Sequence, residues 1–432
     1  MKDHSTPQRD GLLERVVDSN NMKAAWKQVE RNKGAAGVDG RTIAETKEFL
    51  REHWPELRKQ LLDETYKPYP VLRVEIPKPG GGMRKLGIPT VVDRLVQQAL
   101  AQVLTPIFDP GFSESSYGFR PGRSAHDAVR QALHYQQDGK QWVVDMDLRQ
   151  FFDEVNHDIL MARIGQKVKD KRVKRLINGY LKAGVVCPDG QHRTDKGTPQ
   201  GGPLSPLLSN VLLDDLDKEL ERRGHSFCRY ADDCNIYVRT QRSGERVMNS
   251  ITRYIEKVLK LKVNREKSAV ARPWKRVFLG FTFIKVHGVM RIHLPDSSLD
   301  KFRHHVKELL HMGRGRNVRR FIHQSLNPVL RGWLNYFRPG ASKRILRQLD
   351  FWVRRRLRCL IWRQWKRPGT RVRKLLSLGC SEEQSRTGWT RRGPWACAGT
   401  PAVKQTLDPA YFRRHNLFGL LENMLQRETT ST

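Results

Sequence analysis

Long apolar runs are missing from this 432-residue chain. No stretch approaches the roughly 18 uninterrupted apolar residues of a spanning helix, and the polar start MKDHSTPQRDG holds no signal core. A soluble, cytosolic protein is expected. Cysteine is scarce as well: the six at 187, 228, 234, 359, 380 and 397 form no C-x-x-C pair. That argues against a zinc site or a disulfide framework and for reduced thiols. The third shortage is acidic charge, with 45 Asp and Glu against 80 Lys and Arg, a formal charge of +35. An excess of this size implies a polyanionic partner, nucleic acid ahead of an anionic membrane surface.

The charge is uneven. Residues 301 to 380 hold 22 Lys or Arg against two acids, Glu308 and Asp350, while the rest of the chain is far closer to balance. Apolar spacing predicts helices over 91–108 and 124–136, the second capped by Ser124, and a long helix from Leu204 to Arg223 behind Pro203. Strands are expected at 141–148, 227–231 and 234–238. This mixed order without a strict βαβ repeat indicates an α+β fold rather than a doubly wound sheet. Beyond about residue 296 the pattern becomes helical. Between Lys343 and about Lys366, Leu346, Leu349, Trp352, Val353, Leu357, Leu360 and Ile361 form an apolar stripe with arginines on the other faces.

Two acidic features stand out. RYADDCNIYV (229–238) sets Asp232 beside Asp233 between two strand-like runs, and VVDMDLRQFFDEV sets Asp145 and Asp147 at the end of another. Taken alone, adjacent aspartates at a hairpin tip are also ordinary solvated turn residues. Alternation places Asp145 and Asp147 on one face. Carboxylates gathered at neighbouring strand ends repel one another, and a divalent cation with a preference for oxygen ligands removes that cost. Two Mg²⁺ ions so held can activate a hydroxyl and steady a leaving pyrophosphate. The GGG of IPKPGGGMRKLGIP lacks the G-x-x-x-x-G-K-[ST] of a P-loop and reads as a hairpin turn.

An aspartate on one strand, a Y-x-D-D hairpin on the next, and Phe152 five residues after the first aspartate resemble the palm of a reverse transcriptase. ERNKGAAGVDG, VEIPKPGGGMRKLGIPTVVDRLVQQAL, SSYGFRPGRSAHDAV, GTPQGGPLSPLLSNVLL, LKVNREKS, FLGF and RGWLNYF follow in order. The whole resembles the reverse transcriptase and maturase proteins of bacterial group II introns, in particular the compact class C ones. The resemblance implies a right-hand polymerase with fingers and an antiparallel palm sheet, then an all-α basic thumb or maturase domain. The expected divisions are an N-terminal extension to 60, fingers and palm over 61–295, thumb over 296–370, and a basic DNA-binding region over 371–432.

It also implies roles. Asp147, Asp232 and Asp233 would hold two Mg²⁺ ions, with Asp145 a structural neighbour. Lys267 would serve as general acid for pyrophosphate, and Lys78 and Arg84 would meet the triphosphate. Phe152 would exclude a 2′-hydroxyl, Gln200 would touch the nucleotide sugar, and Leu279 and Gly280 of FLGF would grip the primer. Arg354, Arg355, Arg358 and Arg363 would contact nucleic acid, with Trp352, Trp362 and Trp365 as stacking candidates among them. Phe152 and Trp352 also fit a plain core reading, and Lys267 an exposed surface one. The implied partners are the parent group II intron RNA, an RNA template with its DNA primer, target DNA and deoxynucleoside triphosphates, in a bacterial cytoplasm and at the nucleoid. No paired cysteines of an HNH-type endonuclease and no clustered acids of an RNase H domain follow, so second-strand cleavage is not expected. A splicing factor without polymerisation, and a reverse transcriptase recruited to host defence or repair, remain alternatives; the full Asp147, Asp232, Asp233, Lys78 and Arg84 set argues against the first.

Overall fold

The computed structural model describes residues 11–77 and 82–430. The chain forms two compact units, Met1–Arg272 and Pro273–Thr432. In the first, helices Leu12–Val16, Ser19–Asn32 and Ile43–Leu62 precede any strand. Asp18 caps the second by accepting from the Asn20 and Asn21 amides, and Thr42 and Glu45 close a capping box on the third. Leu12, Leu13, Val16, Met22 and Ala25 join the same core as helix Val91–Phe108. The segment expected as an extension is therefore built into the unit.

Among the described residues ten strands follow: β1 Val71–Pro77, β2 Met83–Ile88, β3 Trp142–Asp147, β4 Val185–Cys187, β5 Gly190–His192, β6 Ser226–Tyr230, β7 Asp233–Val238, β8 Ala269–Ala271, β9 Thr282–Val286 and β10 Val289–His293. One sheet runs β2-β1-β4-β5, with β1 parallel to β4; another runs β6-β7-β3-β8 and is antiparallel throughout. β9 and β10 form a separate hairpin within the second unit. The triple-glycine turn between β1 and β2 lies largely outside the described residues, but its flanks pair as a hairpin, Pro77 opposite Met83.

The β6-β7-β3-β8 sheet has two chemically different faces because side chains alternate. Val144, Met146, Cys234, Ile236, Val238 and Phe227 enter the core with helix Ser205–Arg222. Cys234, one of the six cysteines read as reduced thiols, is buried there. The opposite face carries Asp145, Asp147, Asp233 and Tyr230, all half-buried. Helix Ala125–Gln137, capped by Ser124 and Asp127, packs on β6 and β7, and Tyr135 meets Tyr237 with ring centroids 5.5 Å apart.

In the second unit, helix Asn327–Phe337 packs Trp333 on Phe302 of helix Asp296–Met312. Leu346, Leu349, Val353, Leu357, Leu360 and Ile361 of helix Lys343–Gln364 are buried as their stripe predicts, while Trp352 is half-exposed at its edge. No helix among the described residues is long and apolar enough to cross a membrane.

Candidate active site

The antiparallel pairing of β6 and β7 closes on two residues, Ala231 and Asp232, with Tyr230 opposite Asp233. Ala231 takes φ +58° to make the turn, a conformation glycine adopts far more readily. Asp233 in turn lies directly opposite Asp147 on β3, so the pair shares a face. Burial pushes the Asp232 carboxyl above its ordinary range and the Asp147 charge adds to this, while Arg84 and Arg229 oppose it. Asn264 Nδ2 donates to Asp147 Oδ2 at 3.0 Å, and Lys267 Nζ lies 3.7 Å from the same oxygen. Two acids from distant segments are thus held on adjoining strand ends in mutual repulsion, a donor set that fits a hard divalent cation. The three aspartates do not all come within 4.8 Å of one another. Among the described residues the side chains that do are Cys187, Asp189 and His192 at the exposed β4–β5 turn.

Beyond β3 the chain turns into Phe151–Glu154. Phe152 packs edge-on to Phe151, with centroids 5.2 Å apart, and lines a cavity of about 400 Å³. It is both a core-edge aromatic and a wall of open space. Arg73, Lys85, Arg193 and Lys196 share that wall. Lys78 lies outside the described residues. Arg84 is absent from the lining, because neighbours along β2 face opposite ways and Lys85 shares its face with Glu75 and Arg73. The influence of Arg84 on Asp232 nonetheless places its charge near the carboxylates. Sequence reasoning missed Arg73 and Lys85, although period-two alternation through VLRVEIP and MRKLGI puts them on one face of the hairpin. Gln200 is not in the lining; its carbonyl accepts from the Gly87 amide at 2.7 Å. Gly201 needs its lack of a side chain, since at φ +126° a Cβ would lie 2.6 Å from the Gly87 oxygen.

The residue before the tyrosine was also missed. Arg229 is almost fully buried and spends its guanidinium on the surroundings of the Ala231–Asp232 turn. Nε and Nη2 donate to the Asp217 carboxylate at 2.7 and 2.5 Å, Nη2 to Ser116 Oγ at 2.7 Å, and Nη1 to Asn210 Oδ1 at 3.0 Å and the Ala231 carbonyl at 2.9 Å. An arginine at an inward position of an apolar strand is the signal that pointed to it.

Leu279 and Gly280, within the second unit, form a two-residue turn with φ +52° and +82° between Phe278 and Phe281, which exchange both backbone hydrogen bonds. Tyr336 Oη donates to the Leu279 carbonyl at 2.9 Å and Ser298 Oγ to that of Gly280 at 2.8 Å. FLGF and RGWLNYF, far apart in sequence, therefore make one rigid tip.

On helix Lys343–Gln364 the expected arginines divide. Arg363 is exposed and borders a cavity with Arg314, Arg316 and Lys366. Arg354 is half-buried beside Asp350 and Glu422. Arg355 stacks on Trp395 at 3.9 Å and donates to its carbonyl. Arg358 does not face nucleic acid: it is buried and its Nε donates to the Leu407 carbonyl at 2.9 Å. The C-terminal helices cover that side of the helix, a long-range contact the stripe could not reveal. Trp362 is likewise fully buried and not a stacking surface. Arg363→Ala is expected to reduce the salt dependence of RNA affinity by about 0.7 to 0.9 in log–log slope. Arg358→Ala should leave that slope unchanged and lower the melting temperature. Titrations at several salt concentrations, with thermal melts, check both.

Comparison with known proteins agrees with this geometry. Residues 76–283 match the family described as reverse transcriptase (RNA-dependent DNA polymerase), and residues 299–378 match the group II intron, maturase-specific domain. Protein YkfC of Escherichia coli (strain K12) is 33% identical over 65% of this chain and 85% of its own length. The group II intron-encoded protein LtrA of Lactococcus lactis subsp. cremoris is 40% identical over 45% of this chain and 32% of its own. The putative COX1/OXI3 intron 2 protein of Saccharomyces cerevisiae is 26% identical over 78% and 50%. The chain thus spans most of YkfC but a third to a half of the other two. It belongs to the group II intron reverse transcriptase and maturase family. RNA-directed DNA polymerisation, which in reverse transcriptases employs divalent metal ions, and assistance to splicing are the roles these two domains carry.

Proposed function

We propose that this chain extends a DNA primer on an RNA template by two-metal-ion nucleotidyl transfer, and that it binds its parent intron RNA both to assist splicing and to copy it at a DNA target. The observation that carries the polymerase reading is the placement of Asp147 directly opposite Asp233, with Asp232 in the turn that precedes it. In this reading Asp147 and Asp232 hold two Mg²⁺ ions, with Asp233 completing the acidic cluster. The ions would supply charge neutralisation at the primer 3′-oxygen and at the departing pyrophosphate.

The chain's own groups do the rest. Asn264 fixes the rotation of the Asp147 carboxylate. The Arg73, Lys85, Arg193 and Lys196 lining attracts the triphosphate, and the motif assigns Lys78 and Arg84 to the same phosphates. As the primer 3′-hydroxyl gives up its proton to water and its oxygen bonds to the α-phosphorus, the bond from that phosphorus to the α,β-bridging oxygen breaks, and Lys267 gives the departing pyrophosphate a proton from Nζ. Phe152 bars the 2′-hydroxyl, Gln200 meets the sugar from the edge of the cavity next to Pro199 of its lining, and Leu279 and Gly280 grip the primer. Residues 61–295 act as fingers and palm, 296–370 as thumb, and 371–432 as a DNA-binding region. The 22 cations of residues 301 to 380 favour RNA as the maturase ligand.

The test is extension of a primer annealed to RNA by purified protein with deoxynucleotides and Mg²⁺, stopped by chelation. Absence of extension, or synthesis that persists after chelation, would overturn the reading. Phe152→Ala is expected to raise ribonucleotide incorporation by about 10²-fold, since excluding one hydroxyl by shape is worth a few kcal/mol. Unchanged discrimination in competition assays would place the gate elsewhere.

A further inference from the structure

We propose that Phe119, together with Tyr230, forms an aromatic subsite for the primer strand next to its 3′ terminus, an inference that rests on the polymerase reading above. Phe119 combines two costly features. Its side chain is 53% exposed, and its backbone sits at φ +58°, where a bulky residue is rarely found. A residue chosen for the backbone alone would be glycine or asparagine. A ring left more than half exposed gains little burial to offset the strain. Strain and exposure at one position beside a reactive centre indicate a ring held for a ligand.

The surroundings leave the ring little freedom to retract. Residues 115–117 run alongside β6: the Arg229 amide donates to the Ser115 carbonyl at 2.9 Å and the Tyr117 amide to the Arg229 carbonyl at 2.8 Å. Gly118 then lies backbone to backbone on the catalytic turn, so close that a Cβ would stand 2.4 Å from the Ala231 nitrogen. On the other side Arg120 is buried, donating to the Asp109 carboxylate at 2.8 Å and to the Ser113 and Ser116 carbonyls at 2.5 and 3.0 Å. Between these anchors Phe119 projects outward, with its ring centroid 6.3 Å from that of Tyr230.

The position selects the ligand. Tyr230 lies opposite Asp233 and Asp233 opposite Asp147, so the two rings flank the carboxylate face on the β6 side. Phe152 and its cavity follow β3, at the other flank. With the incoming nucleotide in that cavity, the strand whose 3′-oxygen must reach the aspartates is the one that meets Phe119. Packing on a sugar or a base face is tolerant of sequence, as a polymerase requires. Because the ring is fixed in advance, little conformational entropy is lost on binding.

The test compares wild type, Phe119→Ala, Phe119→Gly and Phe119→Trp. Affinity for a primer–template duplex is measured by fluorescence anisotropy without nucleotides, and KM values by primer extension. Alanine and glycine are expected to weaken duplex binding by about tenfold and to raise the KM for primer–template similarly, with the KM for deoxynucleotides unchanged. Tryptophan should restore binding. The glycine variant should melt at or above the wild-type temperature, because glycine takes φ +58° freely, which separates loss of contact from loss of fold. Duplex binding by Phe119→Gly within twofold of wild type, a defect confined to the deoxynucleotide KM, or a wild type that fails to bind duplex would each overturn the subsite. A wild type that binds duplex without extending it sinks the polymerase reading instead, and the binding comparison still decides for or against Phe119.

Discussion

Asp232→Ala is expected to abolish primer extension, by at least about 10³-fold or ~4 kcal/mol of transition-state stabilisation, while the protein stays folded. The carboxylate sits in a two-residue turn, and among the described residues no side chain donates a hydrogen bond to it. Its removal relieves a half-buried, repelled charge. The sign follows from the raised pKa: the native state takes up this proton more readily than the unfolded chain. The group therefore costs no stability at pH values below its unfolded pKa, and the cost grows as pH rises through its folded pKa. At neutral pH the metal-free alanine variant should consequently melt no lower than wild type, and slightly higher if the charge is as isolated as its burial indicates. Mg²⁺ should raise the wild-type melting temperature and leave that of Asp232→Ala unchanged. Full activity in this variant, or an equal response of both proteins to Mg²⁺, would remove Asp232 from the metal site.

Much of this site was legible because it depends on local rules. Alternation in VVDMDL put Asp145 and Asp147 on one face, and β3 shows the same parity. Ser124 read as a cap and is one, and the apolar stripe of helix Lys343–Gln364 is buried where its period placed it. What was not legible depends on partners remote in sequence. Arg358 and Arg363 look equivalent on the helix, yet a carbonyl 49 residues downstream decides that Arg358 turns inward. Arg84 could be read as a triphosphate contact from its motif, whereas Lys85 and, on the neighbouring strand, Arg73, which line the Phe152 cavity, could not. Gly118 stands in the motif SSYGFRPGRSAHDAV with nothing local to single it out; only the approach of the Ala231 backbone explains why it must be glycine.

The same remoteness hides Arg229, whose partners lie 12, 19 and 113 residues away. Arg229→Met is expected to cost about 3–5 kcal/mol, because it strands the fully buried Asp217 carboxylate without its counter-charge. For a unit of this size that lowers the melting temperature by roughly 10 °C. Asp217→Leu should be comparably damaging for the mirror reason. The double variant Arg229→Met with Asp217→Leu separates two roles of the pair. Replacing a buried ion pair by apolar groups of similar volume is often neutral or stabilising, so most of the lost stability should return. Activity should not. The Ala231 carbonyl and Ser116 hydroxyl still lack their donor, the turn that carries Asp232 is no longer tied to helix Ser205–Arg222, and kcat should remain low while the KM for deoxynucleotides changes little. Recovery of melting temperature and kcat together would reduce Arg229 to a packing element. Recovery of stability alone makes it the residue that positions the catalytic turn, and explains why a strand otherwise given to apolar side chains carries an arginine immediately before the tyrosine.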